Sequence, residues 1–399
     1  MEQDKLKSKK KPLRFFLINL TCFGIFIALL HLWMSVATHI IPFAQYDYDY
    51  NSHHFEKQDK PAENHILTER LTVYDSNFYL YIAEHGYAQT PEEVQFDNNH
   101  PGWPTRNYLI FAFAPLYPLI LIFANFIIGN AYIAAFVVAF LLALTCFAAI
   151  WHLVKKYYGE NSAARVTWLF MLLPNAFFLY GYYAESLTII LFALLLYAYK
   201  ERRIWLIAVA TGILGITRFP MLILIPYFAM WLLKRRRQDK ISLGKIVALG
   251  LISVGPLAIW SLACWHFTGN PLYFIEVRQY WNSLPGGFLL SLPSFFFLPL
   301  HYFHSSQIDT IAIALSSILL FFNRNWLPKT WWQLTFAIWF FSIIATDTMS
   351  GFRYQLILLP IYIWIGCRLK GWHYILFVSI SLLLLLFVSA LGINYYWIG

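Results

Sequence analysis

Two acidic residues, Asp75 and Glu84, lie in an aromatic-rich stretch at residues 73–87, within the one long polar segment of the chain. Tyr74 and Phe78 flank Asp75, and aromatic neighbours withhold water from a carboxylate, which makes it a better proton acceptor. Asp75 is therefore a candidate general base. A helix N-cap is the competing interpretation, because a plausible helix start follows directly. Glu84 would lie more than two turns along that helix, where it is either a second site residue or a solvated helix end.

The composition indicates which elements must position this stretch. Of the 399 residues, 59% are hydrophobic, 20% are aromatic and only 12% are charged, whereas soluble domains have about 25% charged residues. Many long apolar runs predict an all-α polytopic membrane protein rather than a β-barrel. The lysine-rich N-terminus precedes a long apolar run, which favours an uncleaved first span over a signal peptide. All four cysteines lie in apolar runs without metal-ligand spacing, which argues against disulfides and a cysteine-bound metal.

Apolar runs of roughly 20 residues, or fewer inside a bundle, predict about 11 transmembrane helices in a single integral-membrane domain, residues 1–399. The expected spans are 14–41, 130–154, 164–181, 185–199, 203–218, 220–233, 244–267, 307–322, 331–347, 353–369 and 373–394. The expected divisions are the first span 14–41, an outer catalytic loop 43–129, a helical core 130–267, a second outer loop 268–306 and C-terminal helices 307–394.

Residues 108–128 are apolar enough to be a further span, but that choice inverts the topology of everything after them. We expect instead an interfacial helix on the outer surface, started by Pro115 and Pro118 and ended by Gly129-Asn130. Cytoplasmic loops are enriched in Lys and Arg. With this placement most of the 29 Lys and Arg residues fall inside and most of the 20 acids fall outside. The N-terminus is therefore expected to be cytoplasmic and Asp75 to be outside, and the net charge of +9 needs no nucleic acid to explain it.

Three more charged residues, Glu185, Arg218 and Arg353, fall at predicted outer ends of spans. Ionisable groups are costly in lipid and mark functional positions there. An arginine either binds a phosphate bidentately or anchors a helix at the interface, and both interpretations stay open for Arg218 and Arg353. The span centres are nearly free of charge, which argues against an ion-coupled transporter.

The second outer loop adds Glu276 and Arg278, which would line an acceptor or sugar pocket, or else form a salt bridge on a surface helix. Metal binding has weak support. Five histidines share the first loop with several acids, but their spacing matches no metal motif: His53, His54, His65, His85 and His100. The sequence contains no phosphate loop, nucleophile elbow or dinucleotide fingerprint.

Several short motifs, in order from residue 73 to about 360, resemble those of the PIG-V-like mannosyltransferases, the GPI mannosyltransferase 2 family and its bacterial relatives. Tyr74 stands where that family usually has Trp, and Ala114 where it has Phe. The motifs are Asp75-Ser76-Asn77-Phe78-Tyr79-Leu80-Tyr81-Ile82-Ala83-Glu84-His85-Gly86-Tyr87, Phe113-Ala114-Pro115-Leu116-Tyr117-Pro118, Leu173-Pro174-Asn175-Ala176-Phe177-Phe178, Tyr183-Ala184-Glu185-Ser186-Leu187, Thr217-Arg218, Gly269-Asn270-Pro271-Leu272 with Gln279 and Trp281, and Arg353-Tyr354 before Pro360.

The resemblance implies a GT-C glycosyltransferase fold with an interfacial helix after the catalytic acid. It also implies transfer of a sugar from a polyprenyl- or dolichyl-phosphate carrier with inversion of the anomeric centre. Asp75 would activate the acceptor hydroxyl, and Arg218 or Arg353 would hold the carrier phosphate. No cofactor is expected beyond the lipid-phosphate-linked sugar donor, and a divalent metal is unsupported. The expected substrate-binding residues are Arg218, Arg353, Glu185, Glu84, Tyr117, Glu276 and Arg278.

The expected function is therefore a membrane glycosyltransferase that moves mannose to an acceptor hydroxyl at the outer face. Its expected partners are membrane lipids, the polyprenyl-phosphate sugar donor and a glycan, lipid or protein acceptor, and not nucleic acid. A transporter or flippase of lipid-linked sugars and a non-catalytic membrane partner are the alternatives. The outer loops contain no Asn-x-Ser/Thr site, which favours a bacterial plasma membrane over the endoplasmic reticulum.

Overall fold

The structure is a computed structural model that describes residues 2–45, 66–87, 106–236, 238–281, 305–345, 350–396 and 398. Every regular element in these ranges is a helix. The α-helices are α1 (Glu2–Ile40), α2 (Leu67–Arg70), α3 (Asp75–His85), α4 (Arg106–Leu109), α5 (Leu116–Ile128), α6 (Ala131–Tyr158), α7 (Glu160–Met171), α8 (Phe177–Tyr180), α9 (Glu185–Lys200), α10 (Ile204–Gly215), α11 (Leu224–Arg235), α12 (Leu243–Thr268), α13 (Tyr273–Glu276), α14 (Ser305–Asn323), α15 (Lys329–Ala345), α16 (Gly351–Tyr354), α17 (Leu359–Arg368) and α18 (Gly371–Ile393). Short 3₁₀ helices cover Ile110–Ala112, Pro174–Ala176, Phe219–Ile223, Val277–Trp281 and Gln355–Ile357.

Four of the described helices, α1, α6, α12 and α18, are long and apolar enough to cross a membrane. A fifth candidate is α7 together with Pro174–Tyr180, although the two parts are bent by 74°. The other predicted spans coincide with helices of 10 to 19 residues. The predicted all-helical class is confirmed for the described residues. A straight helix needs roughly 20 residues to cross the hydrocarbon core, so the predicted count of eleven spans stays a prediction.

The bend after α7 follows from Pro174. Proline has no backbone N–H and disfavours helical geometry in the residue before it, and Leu173 is accordingly extended, with φ −61° and ψ 148°. The chain then passes through α8 and the extended Gly181 before α9 begins at Glu185. This bend places the start of α9 beside the turn before α3, where the Tyr183 hydroxyl donates to the Val73 carbonyl at 2.6 Å.

We predicted a single interfacial helix over residues 108–128. The structure has two helical pieces there, separated at Phe113–Pro115. α5 begins only after Pro115 and ends, as predicted, before Gly129, which adopts a left-handed conformation at φ 74°. Its 13 residues span only about 20 Å. It packs against α3 and α6 while Phe123 and Phe126 stay exposed. An exposed apolar face on a short helix is consistent with a position at the membrane surface.

Candidate active site

Asp75 forms an ion pair with Arg353 across the fold. It is the first residue of α3, and its Oδ2 accepts a hydrogen bond from Arg353 Nη2 at 2.6 Å. The N-cap interpretation of Asp75 is wrong, because Tyr74 occupies the N-cap position and no side chain caps the helix. A charge-assisted bond to a guanidinium is stronger than a capping bond to a neutral backbone N–H.

Glu185 connects a second arginine to this pair. Its Oε1 accepts a hydrogen bond from Arg218 Nη1 and lies 3.1 Å from Arg353 Nε, an ion-pair distance without hydrogen-bond geometry. Asp75, Arg353, Glu185 and Arg218 therefore form a continuous charged cluster. The four residues come from α3, α16, the first turn of α9 and the segment after α10, so the cluster ties four separate elements together.

The charged cluster is closed to solvent except at one end. Glu185 is fully buried, and Arg353 and Arg218 are 3% and 6% exposed. The Asp75 side chain keeps 25% of its accessible surface. The Asp75 carboxylate is therefore the part of the cluster that is accessible from solvent.

Aromatic rings surround the two buried arginines. The Arg218 guanidinium carbon lies 4.9 Å from the centre of the Tyr354 ring, and that of Arg353 lies 5.5 Å from Phe178. Tyr79 is buried beside the charged cluster, and this burial raises the pKa of its phenol to about 12. Rings that exclude water strengthen every charge interaction inside them, and they also offer the arginines cation–π contacts.

Arg278 lies next to the charged cluster but is not part of it. Its guanidinium carbon is 4.2 Å from the centre of the Phe219 ring, and Phe219 directly follows Arg218. The predicted salt bridge to Glu276 is wrong. Glu276 is exposed, and its Oε2 accepts a hydrogen bond from Asn270 Nδ2 instead. Glu276 therefore pairs with Asn270, and Arg278 packs on the Phe219 ring.

The remaining predicted residues divide into one near the cluster and one far from it. Tyr117 is fully buried, and its ring meets Tyr79 edge-on at 4.9 Å, so it contacts the wall of the site rather than its charges. Glu84 is exposed near the end of α3 and joins no ion pair in the described part of the chain, which matches the solvated helix end. His85 stacks on Tyr81 at 4.5 Å.

No group of three or more His, Cys, Asp or Glu that could hold a metal occurs among the described residues. The other four histidines of the first loop lie outside them: His53, His54, His65 and His100.

Sequence reasoning missed how the turn before Asp75 is held. Tyr74 has φ 54°, a left-handed conformation that costs free energy in a residue with a Cβ. Its phenol donates to the backbone carbonyls of Tyr395 and Tyr396, and the Tyr395 phenol donates back to the Thr72 carbonyl at 2.9 Å. The C-terminal segment thus holds the turn before Asp75 in place. The one hint in the sequence was Tyr74 itself, because a tyrosine that packs its ring in a core usually needs a hydrogen-bond partner for its hydroxyl.

Comparisons with known proteins found one similar solved structure and one protein family. A structure of ArnT from Cupriavidus metallidurans bound to undecaprenyl phosphate resembles this one, with a TM-score of 0.42, 13% identity, and coverage of 93% of this chain and 75% of that chain. No curated protein matches the sequence. The family model of the PIG-V mannosyltransferases matches residues 19–255, which is more than half of the chain. The chain therefore belongs to the PIG-V mannosyltransferase family and is a membrane glycosyltransferase.

Proposed function

We propose that this protein transfers mannose from a polyprenyl- or dolichyl-phosphate carrier to an acceptor hydroxyl at the outer face of the membrane, with inversion. One observation carries the proposal. In a chain of the mannosyltransferase family, Asp75 is the accessible end of an otherwise buried cluster of two acids and two arginines. Sites of this kind, charged and shielded from water, are where proton transfer and phosphate departure are stabilised most.

In the proposed reaction Asp75 takes the proton from the acceptor hydroxyl as the acceptor oxygen bonds to the anomeric carbon. The bond between that carbon and the phosphate oxygen breaks, and its electron pair leaves with the carrier phosphate. Because the oxygen attacks opposite the departing phosphate, the anomeric centre inverts. A positioned general base typically contributes about 10²- to 10⁴-fold to the rate. The leaving phosphate needs cations rather than an acid.

Arg353 positions the base in this proposal. Its Nη2 donates to the Asp75 carboxylate at 2.6 Å and so fixes where that carboxylate lies. Glu185 in turn holds both Arg353 and Arg218 in place. Substrate contacts by Arg218, by Arg353 and by the Tyr117 hydroxyl stay proposals, and so do contacts by Glu84 and Glu276.

The proposed setting is a multi-pass protein of a bacterial plasma membrane, or of the endoplasmic reticulum in a eukaryote, with the N-terminus in the cytoplasm. Its proposed partners are the lipid-linked donor, surrounding lipids and a glycan, lipid or protein acceptor. The alternative, a flippase of lipid-linked sugars, would move the same donor without cleaving it.

An assay in liposomes separates these two functions. The full-length protein is reconstituted with polyprenyl-phosphate mannose labelled in the sugar and with a lipid and glycan extract. A transferase releases free polyprenyl phosphate and moves the label to a new product. A flippase changes the leaflet of the labelled donor and leaves the donor intact, and that result would refute the proposed function.

A further inference from the structure

The arginines that we expected to hold the carrier phosphate are both occupied by carboxylates. Asp75 accepts a hydrogen bond from Arg353, and Glu185 accepts one from Arg218. The charged cluster therefore contains two negative and two positive charges and is neutral as a unit. A phosphate that approached Arg218 or Arg353 would have to compete with a carboxylate already in contact.

Arg278 is the surplus cation beside this neutral cluster. It forms no ion pair within the described chain, and its Nε is buried without a hydrogen-bond partner. A buried guanidinium N–H without an acceptor is costly, and arginine stays charged at every physiological pH. The side chain as a whole is partly exposed, so its guanidinium can donate to an anion that approaches.

The position of Arg278 brings that surplus charge to the site. Its guanidinium lies on the Phe219 ring, one residue after Arg218. Tyr354 contacts the guanidinium groups of Arg218 and Arg353 at 4.9 and 5.7 Å. The charge of Arg278 also acts on the Tyr354 phenol. Tyr354 is therefore a neighbour that the three arginines share.

We propose that Arg278 is the residue that binds the phosphate of the lipid-linked donor. The inference rests on the proposed function, and the chemistry of the donor matches the site. A lipid-phosphate sugar is a phosphodiester with a charge of −1, which balances the net charge of +1 that Arg278 and the cluster carry together. After the sugar leaves, the phosphate is a monoester whose charge approaches −2 near neutral pH, so the same cation stabilises the developing charge.

The test measures binding rather than transfer. The full-length protein is placed in phosphatidylcholine nanodiscs, and undecaprenyl phosphate is titrated into the wild type, Arg278→Gln and Arg278→Lys. Inorganic phosphate and the uncharged alcohol undecaprenol are titrated in parallel, to separate a lipid phosphate from free phosphate and from chain binding. Arg324→Gln is the matched control, because Arg324 also lies on a phenylalanine, Phe321, at 4.6 Å and is exposed.

A charge-assisted hydrogen bond contributes roughly 1.5–3 kcal/mol, so we expect Arg278→Gln to weaken undecaprenyl phosphate binding by about 10- to 150-fold. Arg278→Lys should recover part of this loss, and Arg324→Gln should bind like the wild type. Undecaprenol should bind equally to all four proteins. Stronger Arg278-dependent binding of inorganic phosphate than of the lipid phosphate would overturn the assignment to a lipid donor.

Two results separate this inference from the proposed function. If the wild type binds undecaprenyl phosphate and Arg278→Gln binds it equally well, the role of Arg278 is wrong and the transferase proposal survives. If the wild type does not bind undecaprenyl phosphate above the level of undecaprenol, the proposed donor class fails, and the role of Arg278 fails with it.

Discussion

Glu185 offers the most direct way to disturb the charged cluster without touching its accessible end. It is fully buried and is the only carboxylate in the described structure that contacts both Arg218 and Arg353. Glu185→Gln keeps the shape of the side chain and removes its charge, so the cluster changes from neutral to a net charge of +1. The two guanidinium groups then share a water-poor site with one carboxylate, that of Asp75.

The expected cost is large because the site is buried. Removing one partner from a buried ion pair costs about 3–5 kcal/mol, since the remaining charge stays buried without compensation. Replacing both partners by neutral groups costs much less. We therefore expect Glu185→Gln and Arg218→Met to lower the free energy of unfolding by about 3–5 kcal/mol each. The double variant should lose clearly less than the two single losses added together, because Arg353 keeps Asp75.

The assay is reversible unfolding of the detergent-solubilised protein in mixed micelles, followed by tryptophan fluorescence. Glu160→Gln is the matched control, because the pair of Lys155 and Glu160 at 2.8 Å is about one-third exposed on each side. Partly exposed pairs contribute about 0–1 kcal/mol. A Glu185→Gln protein as stable as the wild type, or strictly additive losses in the double variant, would refute the idea that Glu185 holds both arginines.

Three further predictions concern the turn before the site, helix packing and alkaline pH. Tyr74→Phe should lower transfer about 10-fold with little change in donor binding, because the phenol hydrogen bonds that hold the strained turn are lost. Tyr374→Phe loses a phenol-to-carbonyl hydrogen bond elsewhere and should transfer normally, and equal rates for the two variants would contradict the prediction. Gly212→Ala should destabilise the fold by about 1–3 kcal/mol, because a Cβ there would lie 2.6 Å from a carbonyl oxygen of α12. Gly250→Ala has open space around the new Cβ and should not destabilise it, and equal melting temperatures for the two variants would show that α10 and α12 move apart freely. Burial raises the pKa of Tyr79 from 10.0 to about 12, so the stabilisation of the fold by its neutral phenol is complete below pH 10 and is lost as the pH rises towards 12. The melting temperature of Tyr79→Phe should therefore fall less than that of the wild type between pH 10 and 11, and parallel curves would be evidence against a buried neutral phenol.

The sequence predicted the helical class well because apolar runs report directly on burial in lipid or in a helical core. α12 and α18, for example, lie within two residues of their predicted boundaries. Pro115 was expected at the start of the interfacial helix and directly precedes α5. The separate helical turns before Phe113 were missed, because hydropathy averages over a window and does not register a local change of direction. The sharp bend at Pro174 was missed for the same reason, although the proline itself was visible.

The members of the site could be chosen from the sequence, but their partners could not. Asp75, Glu185, Arg218 and Arg353 were candidates because charges at the ends of apolar runs are costly and few. Asp75 and Arg353 are 278 residues apart, and no local pattern determines which of two arginines meets which of two acids. That choice depends on the fold, and it changed the proposed role of Arg278 from a sugar contact to an arginine beside the cluster that has no ion pair among the described residues.

The central claim is that Asp75 is the base, and the rate of sugar transfer by Asp75→Asn tests it most directly. Asparagine keeps an oxygen that accepts the hydrogen bond from Arg353, and the position is one-quarter exposed, so the protein should stay folded, although less stable than the wild type, and should still bind undecaprenyl phosphate. It takes up no proton from the acceptor, so single-turnover transfer from polyprenyl-phosphate mannose should fall by about 10²- to 10⁴-fold. An Asp75→Asn protein that binds the carrier normally and transfers mannose at the wild-type rate would contradict the account.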